Sequence, residues 1–309
     1  METIEKNNSS AANALGGAAD RREYRVGLLL AGFTICVWGS TFISSKKLLT
    51  AFTPAQIMLT RFLLAYAALS LFSLLQGRRS PRLTLRQEGW FLLLGISGCS
   101  LYFYTENTAL RFTLASNVSI IVAAAPILTA LLAHFAGEEA FRAGTLRGFL
   151  LAFSGVVLVV CNGTFVLKLN PRGDLLALAA AACWAVYSVA LRRLDSDLDP
   201  IFVTRRTAFY GAVTAIPFVL AEGVAFPAEL LIRPVFAGNF LFLGLIGSGL
   251  CYVLWNHAIR ILGVVTTNNF IYLNPFVTIV TARIVLGEPI SPLAILGAAL
   301  ITAGVVAAR

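Results

Sequence analysis

The sequence predicts an all-α membrane protein with ten transmembrane helices in two inverted five-helix repeats. Three observations carry this prediction. The chain of 309 residues is 58% hydrophobic and 13% charged, with a mean hydropathy of +0.81. Its apolar runs are close to the ~20 residues that a helix needs to cross a bilayer. The residue pattern of its second half repeats that of its first half.

The composition and charge argue against a soluble protein and against a nucleic-acid-binding protein. Soluble domains carry about 25% charged residues, roughly twice the share found here. The net charge of +9 comes from Lys and Arg residues that lie between the hydrophobic runs. Basic residues in such positions orient membrane proteins. We therefore expect a lipid bilayer as the environment and no nucleic-acid partner.

The order of polar and apolar segments predicts each element in turn. Residues 1–25 are small and polar, and we expect a disordered cytoplasmic tail. Backbone groups in lipid must be hydrogen-bonded within the chain, so the long apolar runs that follow must be helices. These runs lie at residues 26–47, 55–76, 89–110, 114–135, 146–164, 173–192, 202–222, 237–259, 264–286 and 292–308.

The distribution of basic residues predicts the orientation. If the N-terminus is cytoplasmic, the inner connections carry twice as many of the 24 Lys and Arg residues as the outer ones. Since Lys and Arg accumulate in cytoplasmic loops, both termini are expected in the cytoplasm.

An internal repeat divides the chain into two units. Residues 95–160 align without a gap with residues 244–309, an offset of 149 positions, and the first span aligns with the sixth at a slightly smaller offset. We therefore expect a first repeat over residues 26–164 and a second over residues 173–309. Five spans are an odd number, so the two repeats have opposite orientations. Inverted repeats place a substrate site near the midplane, between the halves.

Three segments resemble a known family. They are CVWGSTFISSKKLL in the first span, ENTALRFTLASNVSIIVAAAPILTALL across the third and fourth spans, and LGEPISPLAILGAALITAGVVAAR at the end. These segments resemble the drug/metabolite transporter superfamily, and within it the EamA-type bacterial permeases. The resemblance implies a bacterial inner-membrane protein that moves small organic metabolites by secondary transport. Export of amino acids or related compounds is the expected activity.

Polar and aromatic side chains that share helix faces predict a substrate cavity. In several spans such residues lie three or four positions apart, which places them on one face. A single stripe of this kind is also typical of helix–helix hydrogen bonding in lipid. Stripes in paired helices of both halves favour a shared cavity. The predicted cavity residues are Trp38, Thr41, Tyr102, Glu106, Asn117, Tyr252, Trp255, Asn256, Asn268 and Tyr272.

Two charged residues fall inside the predicted spans at similar depth. Glu106 lies near the end of the third span and Arg61 near the start of the second. Charges within a span are costly and indicate function by default. Two interpretations stay open: an ion pair between Glu106 and Arg61, and a proton-coupling site at Glu106. The second predicts that Glu106→Gln flattens the pH dependence of transport.

Matched prolines predict bends in two further spans. Pro126 and Pro275 are equivalent in the two repeats. Because proline removes a backbone donor, each frees a carbonyl one turn earlier. We interpret both residues as helix bends beside the pathway.

Other functions are less well supported by the residues. The sequence has no nucleotide-binding loop, no G-x-S-x-G and no H-E-x-x-H motif. Its five cysteines form no C-x-x-C pair. We therefore expect no enzymatic activity, no cofactor and no metal. The alternatives are a drug or organic-cation exporter, whose substrates would contact the aromatic rings, and a membrane receptor or enzyme without transport activity. Both a monomer and a homodimer remain open.

Overall fold

The computed structural model describes most of the chain. The described residues are 2–78, 80–135, 147–148, 150–151, 154–155, 158, 170–194, 197–223, 225–288, 290 and 292–307. The structure describes side chains from Arg21 onward. The predicted fifth span, residues 146–164, lies largely outside the described residues.

Every regular element in this part of the chain is a helix. In chain order the helices are α1 (Glu2–Leu48), α2 (Pro54–Leu75), α3 (residues 85–112), α4 (Ala115–Phe135), α5 (Pro171–Leu191), α6 (Pro200–Glu222), α7 (Pro234–Leu262), α8 (residues 264–286) and α9 (Pro292–Ala307). A short 3₁₀ helix at Ala228–Ile232 precedes α7. Each of these nine described helices overlaps one predicted span, so α5 corresponds to the sixth span and α9 to the tenth.

Six of the described helices are long and apolar enough to cross a membrane. These are α1 from Arg21, α2, α4, α5, α7 and α8 from Thr266. The described helices therefore establish a multi-pass membrane protein, whereas the total of ten spans stays a prediction.

The first helix begins before the first predicted span, because the backbone of α1 is helical from Glu2. The assignment of residues 1–25 as a cytoplasmic tail stays a prediction.

Side-chain caps fix where the helices begin. Thr53 and Gln56 form a capping box at the start of α2, in which Gln56 N donates to Thr53 Oγ1 at 3.3 Å and Thr53 N donates to Gln56 Oε1 at 3.0 Å. At the equivalent start of α6, the side chain of Asp199 accepts a hydrogen bond from Ile201 N. A proline follows each cap, where its missing N–H has no cost.

Helices that are equivalent in the repeat run in opposite directions. At one end of the bundle, Ala115 N at the start of α4 donates to Glu288 Oε1, just after α8, at 3.0 Å. At the same end, Ala55 N at the start of α2 donates to Glu222 Oε2 at the end of α6 at 3.0 Å. The distribution of basic residues predicts that this end, called the predicted outer end below, faces away from the cytoplasm.

Ion pairs join helices at the opposite end. Arg206 of α6 pairs with Glu88 in the first turn of α3. Nη1 of Arg78, which follows α2, lies 2.5 Å from Oδ2 of Asp199, which precedes α6. These contacts place the end of α2 and the starts of α3 and α6 together, at the end predicted to be cytoplasmic.

Two π-helical segments occupy equivalent positions in the repeats. The first is Ile96–Ser100 in α3 and the second is Phe242–Leu250 in α7. Such segments within α-helices frequently mark functional sites. Here each lies where its helix packs closely against the other half of the molecule.

Glycines make these close contacts possible. A Cβ atom at Gly98 would lie 2.2 Å from Cδ2 of Tyr187 on α5. A Cβ atom at Gly247 would lie 3.1 Å from Cγ2 of Thr41 on α1. Gly98 is equivalent to Gly247, and Thr41 is equivalent to Tyr187, so one type of contact is built twice. Small residues allow such approach where lipid provides no hydrophobic drive for helix association.

The helical winding changes just before each matched proline. A turn at residues 123–124 interrupts α4 ahead of Pro126. A 3₁₀ segment, Asn269–Leu273, lies within α8 ahead of Pro275. Both changes agree with the loss of a backbone donor at proline. A role of these two residues as bends beside a pathway stays a prediction.

We predict that Gly98→Ala destabilises the protein by about 1–3 kcal/mol, the usual cost of overpacking. The added methyl group must displace the buried ring of Tyr187. Gly89→Ala, in the same helix, is the matched control, because a Cβ atom there meets nothing within 4 Å. Thermal unfolding of both variants in detergent measures the difference. Equal unfolding temperatures would show that the contact with Tyr187 is not tight.

Candidate functional site

An internal cavity of about 30 Å³ lies among helices from both halves. This volume holds about two water molecules. The lining residues come from α1, α2, α3, α4, α5, α7 and α8, and they are Trp38, Thr41, Phe42, Arg61, Tyr102, Phe103, Glu106, Val122, Trp184, Tyr252, Ile271 and Asn274.

Six of the twelve lining residues are aromatic. Trp38 and Trp184 are equivalent in the repeat, and their ring centroids lie 5.2 Å apart in an edge-to-face arrangement. Tyr252 lies 5.5 Å from Trp38, and Tyr102 lies 5.4 Å from Trp184. The indole Nε1 of Trp38 donates to Gly247 O at 2.9 Å. The two halves therefore meet through these rings.

Arg61 is a buried cation on this wall, with 1% of its surface exposed. Its Nε donates to Ser248 Oγ at 2.8 Å. Its guanidinium carbon lies 3.7 Å from the centroid of the Phe103 ring, in a cation–π contact. Its Nη1 has no hydrogen-bond partner among the described residues. The guanidinium is thus held in place with donor capacity left over.

Glu106 is a buried anion on the same wall, with 2% of its surface exposed. Tyr102, one turn earlier in α3, lines the same cavity. Of the two interpretations of Glu106, a direct ion pair with Arg61 is not formed in the described contacts, although the two charges line one cavity. The proton-coupling interpretation stays a prediction.

The cavity contains five of the ten residues predicted to line it. These are Trp38, Thr41, Tyr102, Glu106 and Tyr252. Arg61, predicted to take part in coupling, lines the cavity as well. The sequence pattern therefore locates the charged and much of the aromatic part of the wall.

Two other predicted residues lie behind the wall. Trp255 packs against Trp38 with ring centroids 4.9 Å apart. The amide of Asn256 accepts from Tyr187 Oη at 3.3 Å and donates to Thr204 Oγ1 at 3.0 Å. In this conformation both residues support the site from outside the cavity.

The remaining three predicted residues lie away from this cavity. Asn117, near the start of α4, donates from Nδ2 to Thr113 Oγ1 at 3.3 Å. Asn268 and Tyr272 are buried in α8. The amide of Asn268 has no hydrogen-bond partner within the described structure. A role for these residues in transport stays a prediction.

Six lining residues were not identified from the sequence. Four of them are apolar and resemble any lipid-facing residue: Phe42, Phe103, Val122 and Ile271. The fifth is the polar residue Asn274. The sixth, Trp184, carries a usable signal, because the repeat aligns it with Trp38.

A buried carboxylate ties four segments together at the predicted outer end. Glu288 accepts from Ala115 N, from Ser116 N at 3.3 Å and from Ser116 Oγ at 2.9 Å. It also lies 3.2 Å from Lys46 Nζ, which donates to Thr113 O at 2.8 Å. A negative charge at a helix N-terminus is favourable, so this contact stabilises α4.

Metal chemistry is not indicated by the described residues. They contain no group of three or more His, Cys, Asp or Glu side chains that is arranged to hold a metal ion.

We predict that Glu288→Ala lowers stability by about 1–3 kcal/mol, because buried backbone donors of α4 lose a charged acceptor. Glu229→Ala removes an equal charge from an exposed position and serves as the control. Apparent unfolding temperatures in detergent would distinguish the two variants. A Glu288→Ala protein as stable as the Glu229→Ala protein would contradict a stabilising role.

Comparison with known proteins finds similarity to transporters. The sequence matches the model of the EamA-like transporter family twice, over residues 25–161 and 171–308. It is 30% identical to "Uncharacterized transporter YyaM" of Bacillus subtilis (strain 168) over 91% of this chain and 92% of that protein. It is 29% identical to a "Probable terminal-alkyne amino-acid exporter" of Streptantibioticus cattleyicolor, over 88% of this chain and 89% of the relative.

A solved crystal structure shares the fold. It matches with a TM-score of 0.63 at 22% sequence identity, and the match covers 91% of this chain and 95% of the other. The two family matches correspond to the two halves of the internal repeat.

Proposed function

Because the chain belongs to the EamA-like transporter family, we propose that it exports amino acids or related compounds by secondary transport. The resemblance inferred from the sequence is confirmed by the family match, and the protein is a membrane transporter. Its substrate class and its direction of transport are the proposed part. The named amino-acid exporter among its relatives supports this substrate class.

The proposed architecture has ten transmembrane helices in two inverted five-helix repeats. Both termini lie in the cytoplasm, residues 1–25 precede the first span, and the location is a bacterial inner membrane. The opposite directions of repeat-equivalent helices support this arrangement. The proposed partners are the small solute, the lipid bilayer and protons, and the oligomeric state is a monomer or a homodimer.

One observation carries the proposal: the cavity between the halves contains buried charges and aromatic rings. Inverted-repeat transporters bind their substrates between the two halves. They open the site to one side of the membrane and then to the other by moving one half against the other. A volume of about 30 Å³ is too small for an amino acid. Solute binding therefore requires the halves to separate.

Transport by purified protein in liposomes tests this function. We expect uptake or efflux of labelled amino acids down an imposed gradient, and competition by unlabelled amino acids. Organic cations form the second arm of the panel, since the rings of Trp38 and Trp184 favour a drug or cation exporter as the second candidate. Transport of organic cations without any transport of amino acids would overturn the proposal. Transport of neither class would also overturn the proposed substrate class.

Proton coupling through Glu106 is the proposed source of energy. The charged and titratable groups that line the cavity with this carboxylate are Arg61 on α2, Tyr102 on α3 and Tyr252 on α7. Protonation of a carboxylate depends on its solvent access and on neighbouring charges, and both would change at Glu106 if the two halves moved apart.

We predict that Glu106→Gln flattens the pH dependence of transport, because the amide cannot titrate. Initial rates in liposomes across a range of pH values measure this effect. Glu229→Gln, at an exposed position, should keep the wild-type profile. If Glu106→Gln also keeps that profile, Glu106 does not couple protons, and facilitated movement down the solute gradient is favoured.

A further inference from the structure

The cavity contains one buried cation and one buried anion that do not contact each other directly. Arg61 and Glu106 are both almost fully buried. An unpaired charge in a low-dielectric interior is costly. A pair that served only to stabilise the fold would be expected to close into a salt bridge, which the described contacts do not include.

Each of these two groups has hydrogen-bonding capacity left for a ligand. Arg61 uses Nε for Ser248, while its Nη1 has no acceptor among the described residues. A planar guanidinium with free N–H groups is well suited to bind a carboxylate. Glu106 lines the same cavity, and a carboxylate has about four lone-pair sites, so it can accept from an ammonium group.

The repeat shows that the fold does not require these charges. At the offset of the first two spans, the equivalent of Arg61 is Thr207, and the equivalent of Glu106 is Trp255. Both equivalents are buried. The contact of Arg61 with Ser248 also has its counterpart, because Cys99 Sγ lies 3.9 Å from Thr207 O. The second half therefore keeps a contact between equivalent positions without ionic side chains.

Two opposite charges in one cavity favour a particular ligand chemistry. A simple organic cation would be attracted by Glu106 but repelled by Arg61. A simple carboxylic acid would meet the reverse combination. A ligand that carries both a carboxylate and an ammonium group satisfies both residues, and the surrounding rings of Trp38 and Trp184 offer an apolar wall to the rest of the molecule.

We propose that this cavity binds the zwitterionic head group of an α-amino acid, with its carboxylate on Arg61 and its ammonium group on Glu106. This assignment rests on the proposed function and narrows it to amino acids in which both charges are free. The apolar wall favours side chains such as those of leucine and phenylalanine.

Competition in liposomes tests the assignment with defined probes. Transport of labelled L-phenylalanine is measured against unlabelled L-phenylalanine, its methyl ester and its N-acetyl derivative. The ester lacks the carboxylate and the acetyl derivative lacks the ammonium group. We expect each derivative to compete at least about 10-fold more weakly than the amino acid, as for the loss of a charged hydrogen bond.

Variants assign the two charges separately. In the Arg61→Gln variant, phenylalanine should no longer compete better than its methyl ester but should still compete better than its N-acetyl derivative. In the Glu106→Gln variant, phenylalanine should still compete better than the ester but no longer better than the N-acetyl derivative. Thr207→Val, at the equivalent of Arg61 in the second half, is the matched control and should keep both advantages. If Arg61→Gln does not fold, Arg61→Lys retains the charge and should keep the preference for phenylalanine over the ester.

The outcomes separate this assignment from the proposed function. If phenylalanine is transported and both derivatives compete as well as it does, the zwitterion assignment is overturned and amino-acid transport stands. The same conclusion follows if the two glutamine variants lose both advantages equally. If organic cations are transported but amino acids are not, the proposed function fails and the assignment fails with it.

Discussion

Close packing between helices of opposite repeats holds the two halves together and positions the cavity between them. Lipid is as apolar as the helices themselves, so helices associate through tight packing of small residues. Gly98 and Gly247 provide this packing at equivalent positions, against Tyr187 and Thr41. These contacts bring α3 and α7 onto the first helices of the opposite halves. The cavity lies among the same helices, which places its wall where the two halves meet.

The two halves share packing but differ in chemistry. Trp38 and Trp184 are equivalent and pack against each other. Arg61 and Glu106 have uncharged equivalents, so the ionic part of the site belongs to the first half alone. An approximately symmetric frame can move between two states of similar energy. A site with asymmetric charges can bind a ligand in one defined orientation within that frame.

Each of the nine described helices overlaps a predicted apolar run, because apolar length is a local property of the sequence. The predicted residues Trp38, Tyr102 and Glu106 line one cavity in the structure, and their role in substrate binding stays a prediction. The sequence could not separate Asn256 from the lining, since its partners Tyr187 and Thr204 lie on other helices. Apolar lining residues such as Val122 carry no sequence signal, because lipid-facing positions use the same residue types.

Alternating access requires the two halves to separate at the predicted outer end when the site opens to that side. Lys46 and Glu288 lie 3.2 Å apart there, on segments from opposite halves. The direct test replaces both by cysteine in a protein without its native cysteines and joins them with a short, reducible bifunctional crosslinker. Transport in liposomes should stop on crosslinking and return on reduction. Unchanged transport by the crosslinked protein would contradict alternating access through this end.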